Sequence, residues 1–87
     1  MAVFALVCNY EGDYGMKVLM VDSDDTMADV ARIARENIAS VFVPEPPPGS
    51  QLRVRRHGTD EFLSPDLTIT DAGFVVMETV DIIPTHA

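Results

Sequence analysis

Three of the six basic residues in this 87-residue chain, Arg53, Arg55 and Arg56, fall within four positions of the stretch LRVRRHGTDEF. Guanidinium groups at that density could neutralise phosphates, clamp a carboxylate or face a protein partner. The formal net charge of −8 argues against nucleic acid, which is bound through many cations and repelled by surrounding carboxylates. His57, next in line, could serve as a general base or a ligand. No second His or Cys and no paired carboxylate stands at ligand spacing beside it, so a surface or packing role is expected. His86, near the end of the sequence, is expected to be mobile. Cys8, the one cysteine, sits in the apolar run VFALVC. It can form no internal disulfide or thiolate cage, and it is expected in the core, since reactive thiols need an accessible, electropositive setting. Asp22, Asp24 and Asp25 hint at calcium but lack the spacing and distal Glu of an EF-hand loop. The electrostatics of a helix N-terminus explain them more simply. No catalytic, metal or cofactor-binding residue is expected on this chain.

These residues need elements to hold them. Residues 3–8 form an apolar run of strand length, NYEGDYG supplies turn residues, and MKVLMV, 16–21, makes a second strand, which together read as a β-hairpin. Thr26 and Asp29 have capping-box spacing. Met27, Val30, Ala31, Ala34 and Ile38 recur at helical intervals, with Asp29, Arg32, Arg35 and Glu36 on the other side. An amphipathic helix of about four turns, ending about residue 40, is predicted. PEPPPGS, 44–50, is a stiff connector, too short to separate a pair of domains. Leu52–His57 alternates as a strand, Glu61–Leu63 can make a short one, LSPDLTITDAG reads as a turn-rich corner, and Thr79–Ile83 is the closing strand. The expected order is β-β-α-β-β-β in one domain over residues 1–87, of class α+β. An apolar fraction of 47% is ample for a core, and no run approaches the roughly 20 residues of a membrane span. The first residues lack the basic start of a signal peptide. A soluble, cytoplasmic protein is expected.

Two stretches then suggest a fold. DDTMADV resembles the helix entry of ubiquitin-like proteins, and TITDAGFVVMETVDII resembles their final turn and last strand. The resemblance implies the β-grasp: a mixed sheet wrapped on one helix, with first and last strands parallel and central. More specifically, NYEGDYGMKVLMVDSDDTMADVA, LRVRRHGTDEFLSPDLTITDAG and METVDII resemble the small ubiquitin-like gamma (B) subunit of the toluene monooxygenase family. Members of that family are bacterial multicomponent diiron hydroxylases acting on aromatic hydrocarbons such as toluene and o-xylene or on alkenes such as isoprene. The stretches cover most of the chain and depart from the family mainly in the second half of the helix and the proline-rich connector. The resemblance implies a non-catalytic subunit that docks on the large hydroxylase subunit, in a hetero-oligomer with the medium one. It implies that the diiron centre lies in the large subunit, that electrons arrive through a Rieske ferredoxin and a flavin reductase, and that a separate effector protein acts on the complex. The sequence itself has none of the Glu-x-x-His repeats by which bundle helices hold two irons. A free-standing ubiquitin-like protein-interaction domain is the other reading. A modifier or sulfur carrier would end in Gly-Gly, whereas this sequence ends IIPTHA, and a plant-type [2Fe–2S] ferredoxin would need four cysteines.

Strand alternation assigns the sheet faces. With Leu19 and Val21 inward, Met16, Val18 and Met20 lie on the face away from the helix. With Leu52, Val54, Val80 and Ile82 inward, Arg53, Arg55, Thr79, Asp81 and Ile83 share that outer face. A sheet face meant for water would carry polar residues where Met16, Val18 and Met20 stand. Met16, Val18, Met20, Arg53, Arg55, Asp81 and Ile83 are therefore the predicted partner-binding residues, with Asp81 placed to pair with Arg53 or Arg55.

Overall fold

The computed structural model describes residues 2–12, 15–39 and 44–86 of the protein. Strands β1 (Val3–Tyr10) and β2 (Lys17–Asp22) form the predicted hairpin, followed by helix α1 (Met27–Ile38), strand β3 (Ser50–Arg56), a one-turn helix α2 (Ile69–Ala72) and strand β4 (Glu78–His86). The sheet order is β2-β1-β4-β3, with β1 and β4 parallel at its centre and both flanking pairs antiparallel. This is the β-grasp topology that the sequence leads one to expect.

Helix α1 starts where its first residues dictate. Thr26 is extended, its hydroxyl accepts from the Asp29 N–H at 3.2 Å, and the Asp29 carboxylate accepts from the Thr26 N–H at 3.1 Å. That reciprocal pair satisfies two N–H groups that a helix end otherwise leaves open. Met27, Val30, Ala31, Ala34 and Ile38 are buried along one face of the helix. They belong to the same core as Leu6, Leu19, Val54, Val80 and Ile82 of the sheet, with Leu52 at its margin. A helix of 12 residues is marginal alone in water, so this burial, worth about 2 kcal/mol per large apolar side chain, is what holds it. Ala39 forms the C-cap in an extended conformation. The expected continuation to residue 40 and the hairpin-turn residues 13–14 lie outside the described residues.

Several expectations are corrected. Glu61–Leu63 is not a strand. One isolated bridge joins Phe62 to Arg55, and the Leu63 N–H donates to the Val54 carbonyl at 2.9 Å, laying this segment along the outer edge of β3. The turn-rich corner contains α2, so the order is β-β-α-β-α-β. There the Thr68 hydroxyl accepts from the Asp71 N–H at 3.0 Å, and Gly73 ends the turn in the left-handed region at φ 73°. The closing strand exceeds 79–83 because β3 reaches back to Ser50, which pairs with His86. Asp22, Asp24 and Asp25 lie in the turn that leads into α1, whose cap is Thr26, as predicted. Asp25 accepts from the Asp22 N–H and Asp22 from the Asp24 N–H, each at 2.9 Å.

Candidate functional site

Register determines what the outer face of the sheet carries. Asn9 pairs with Asp81 across β1 and β4, and Asp81 pairs with Arg55 across β4 and β3, so the three form one row. Alternation alone places Asp81 outward on this face, yet it is only 4% exposed. Its neighbours roof it. Asn9 Nδ2 donates to Oδ1 at 3.1 Å, His57 Nδ1 lies 2.8 Å from the same oxygen, and Arg55 Nε and Nη2 donate to Oδ2 at 3.2 and 3.0 Å. Burial pushes the Asp81 pKa up, but the hydrogen bonds from His57, Asn9 and Arg55 outweigh it and hold the carboxyl below its ordinary value. A carboxylate offers only lone pairs, so Nδ1 carries the proton in the His57 contact. His57 is thus a surface histidine, as expected, but one with a carboxylate partner that lies 24 residues away in sequence.

The other two arginines are also engaged within the chain. Arg53 stands opposite Ile83 and does not pair with Asp81. Its Nη2 donates to the Leu63 carbonyl at 3.3 Å and its guanidinium lies 5.4 Å from the centre of the Phe62 ring. Arg56 donates to the Ala72 carbonyl, approaches the Glu78 carboxylate at 3.2 Å and stacks 4.8 Å from the centre of the Phe74 ring. The arginine cluster therefore clips the long connection between β3 and β4 onto the sheet. Neither a solvated strand nor an unengaged cationic patch describes it.

The opposite half of the face is apolar. Met16, Val18 and Met20 are 54%, 53% and 60% exposed. Val18 and Met20 stand across from Val7 and Ala5 of β1. A second exposed group, Val75, Val76 and Met77, precedes β4, and the Met77 N–H donates to the Ala5 carbonyl at 2.7 Å, which sets it at the border of the same patch. Sequence reasoning missed this group because FVVM, between the corner LSPDLTITDAG and the closing strand at Thr79, was assigned to no element of its own. Three consecutive apolar residues outside any periodic element were the available signal. Of the seven predicted partner-binding residues, then, Met16, Val18 and Met20 lie exposed together. Arg53, Arg55 and Asp81 are held by contacts within the chain, and Ile83 is half-buried at the β3 end. Cys8 is fully buried in the core. Among the described residues no group of three or more His, Cys, Asp and Glu side chains is placed to hold a metal ion, and no helix is long and apolar enough to cross a membrane.

Comparison with known proteins agrees with this architecture. The gamma subunit of the hydroxylase component of the toluene-4-monooxygenase system from Ectopseudomonas mendocina is 28% identical over 83 residues, covering 95% of this chain and 96% of that one. A chain in the structure of the toluene 4-monooxygenase HD complex with the inhibitor 4-bromobenzoate superposes with a TM-score of 0.89 at 27% identity, over 97% of this chain and 100% of that chain. The ubiquitin of Caldiarchaeum subterraneum shares the fold alone, with a TM-score of 0.69 at 15% identity over 99% of this chain and 98% of its own. The profile of the toluene-4-monooxygenase system protein B (TmoB) family matches residues 3–83, and the chain belongs to that family.

Proposed function

We propose that this chain is the non-catalytic gamma subunit of a multicomponent diiron hydroxylase for small aromatic or alkene hydrocarbons, and that it docks on the large subunit through the outer face of its sheet. The observation that carries the docking role is the exposed stripe Met16, Val18 and Met20, which occupies positions where a water-facing sheet would carry polar side chains. Arg55 and His57, oriented by Asp81, lie on the far side of β1 and β4 from it, and flexible methionines suit an adaptable apolar contact. Family membership and a gamma-subunit relative support the assembly role. In this reading the large subunit holds the diiron centre, the medium subunit completes the hetero-oligomer, and the Rieske ferredoxin and the effector protein act on that assembly in the cytoplasm. One ubiquitin-like domain over residues 1–87 supplies rigid surface and no reacting group.

Co-expression with the large and medium subunits tests the proposal. The wild-type chain should co-elute with the iron-containing large subunit, and the Val18→Ser, Met20→Ser double variant should not, while melting as the wild type does in isolation. A folded wild-type chain that never co-elutes would overturn docking and favour a free-standing interaction domain.

A further inference from the structure

The two edges of the sheet are finished differently. At the β3 edge, Phe62 bridges to Arg55 and the Leu63 N–H reaches the Val54 carbonyl, so that edge is covered over some of its length. At the β2 edge no described residue plays that role. The Ser23 N–H donates to the Ala2 carbonyl at 2.8 Å, one step beyond the Val3–Asp22 pair. In an antiparallel ladder bonded pairs alternate, so Leu19 and Val21 direct their backbone groups to β1, whereas Val18 and Met20 direct theirs outward. Asp22 has the outward parity too, and its N–H is taken by Asp25 at 2.9 Å. Beneath this edge, between β2 and α1, lies an open groove of about 340 Å³ lined by Val18, Leu19, Met20, Ile33 and Ile38 among others. Folded proteins normally blunt an open edge with charge, proline, a bulge or a covering segment. Between Lys17 and Asp22 the strand reads VLMV, without charge or proline.

We propose that an extended apolar segment of the hydroxylase partner adds to β2 and continues the sheet. This rests on the docking reading above and specifies its mode. The added strand would bond the N–H and C=O groups of Val18 and Met20. Alternate side chains would extend the outer apolar patch, and the remainder would enter the groove above Ile33 and Ile38. A second copy of this chain is the competing occupant, and charge disfavours it, because each copy carries −8. The same field calls for a partner segment without acidic residues.

Amide hydrogen exchange on the full chain, alone and within the purified hydroxylase complex, decides the matter. The Val18 and Met20 amides should exchange freely in the isolated chain and slow by about 100-fold or more in the complex. Met20→Pro, which deletes an edge-facing N–H and no internal bond, should weaken complex formation by about 10-fold or more. The exchange measurement stands even if that variant folds poorly. A complex that forms while both amides keep their isolated rates would overturn strand addition and leave docking intact. Protection that appears in the isolated chain and grows with its concentration would assign the edge to a second copy, again overturning the proposal. Failure to form any complex would remove the docking reading itself.

Discussion

Across β4 and β3 the charged side chains of the outer face, Asp81, Arg55 and Arg53, are bonded to other segments of the same chain, whereas across β2 the face presents Val18 and Met20 outward. One half is fixed by directional contacts among residues distant in sequence. The other is apolar and bounded by a backbone edge that no described residue covers. The contrast teaches that charge on a strand is a poor guide to which part of a face stays free. Charged groups that can find partners within the chain become structure, and the plain apolar positions stay exposed.

The sharpest way to break this contrast is to remove the hub of the polar half. Asp81→Ala should cost about 2–4 kcal/mol of folding stability in urea titration, because Arg55, His57 and Asn9 lose a common acceptor at a buried position. A loss under about 0.5 kcal/mol would show that the polar half is as loosely held as the apolar one. Next in size is the association effect. Val18→Ser with Met20→Ser should weaken binding to the large subunit by about 2 kcal/mol, roughly 30-fold, in titration calorimetry. Arg55→Glu would be a poor probe of the same contact, since it places a like charge against the buried Asp81 and disturbs the fold as well.

Acid titration sharpens the comparison further. The Asp81 carboxyl is held below its ordinary value, so the folded state favours its ionised form more than the unfolded chain does. Its stabilisation is complete above the unfolded aspartate pKa of about 3.9 and is lost as pH falls through that value toward the folded one. The stability gap between wild type and Asp81→Asn should therefore narrow below about pH 4, while the gap for Met20→Thr stays flat. The smallest effect belongs to the apolar half alone: Met20→Thr should change the stability of the isolated chain by no more than about 0.5 kcal/mol, an equally exposed threonine being at home in a strand.

Much of the fold was legible because its signals are local. Thr26 and Asp29 announce the start of α1, and alternation within VLMV and LRVRR assigns inner and outer faces before any strand order is known. Three stretches distributed along the chain suffice to suggest the family. Helix α2 escaped notice although Thr68 and Asp71 repeat the Thr26–Asp29 spacing, because four residues show no periodicity. The two capped turns in fact sit against each other: Thr26 bridges to Thr68, and the Ile69 N–H donates to the Asp25 carbonyl at 2.9 Å. The burial of Asp81 was not legible at all. It depends on the β1–β4 and β3–β4 registers acting together to bring Asn9, Arg55 and His57 around one carboxylate, and neither register is written in a local pattern.

The parallel pairing of β1 with β4 also sets the order in which the chain can become a protein. Leu6 meets Glu78 and Tyr10 meets Ile82, so the central ladder joins segments separated by most of the sequence. A ribosome releasing this chain delivers the β1–β2 hairpin and α1 long before the strand that completes their core. Leu6 and Cys8 must wait in an incomplete sheet, and loop closure over that distance is a slow step in folding. During that interval the hairpin exposes both the β1 edge that β4 will cover and the β2 edge that no described residue covers in the finished fold. The stretch of greatest aggregation risk is thus the same VLMV strand, and its exposure begins early in synthesis.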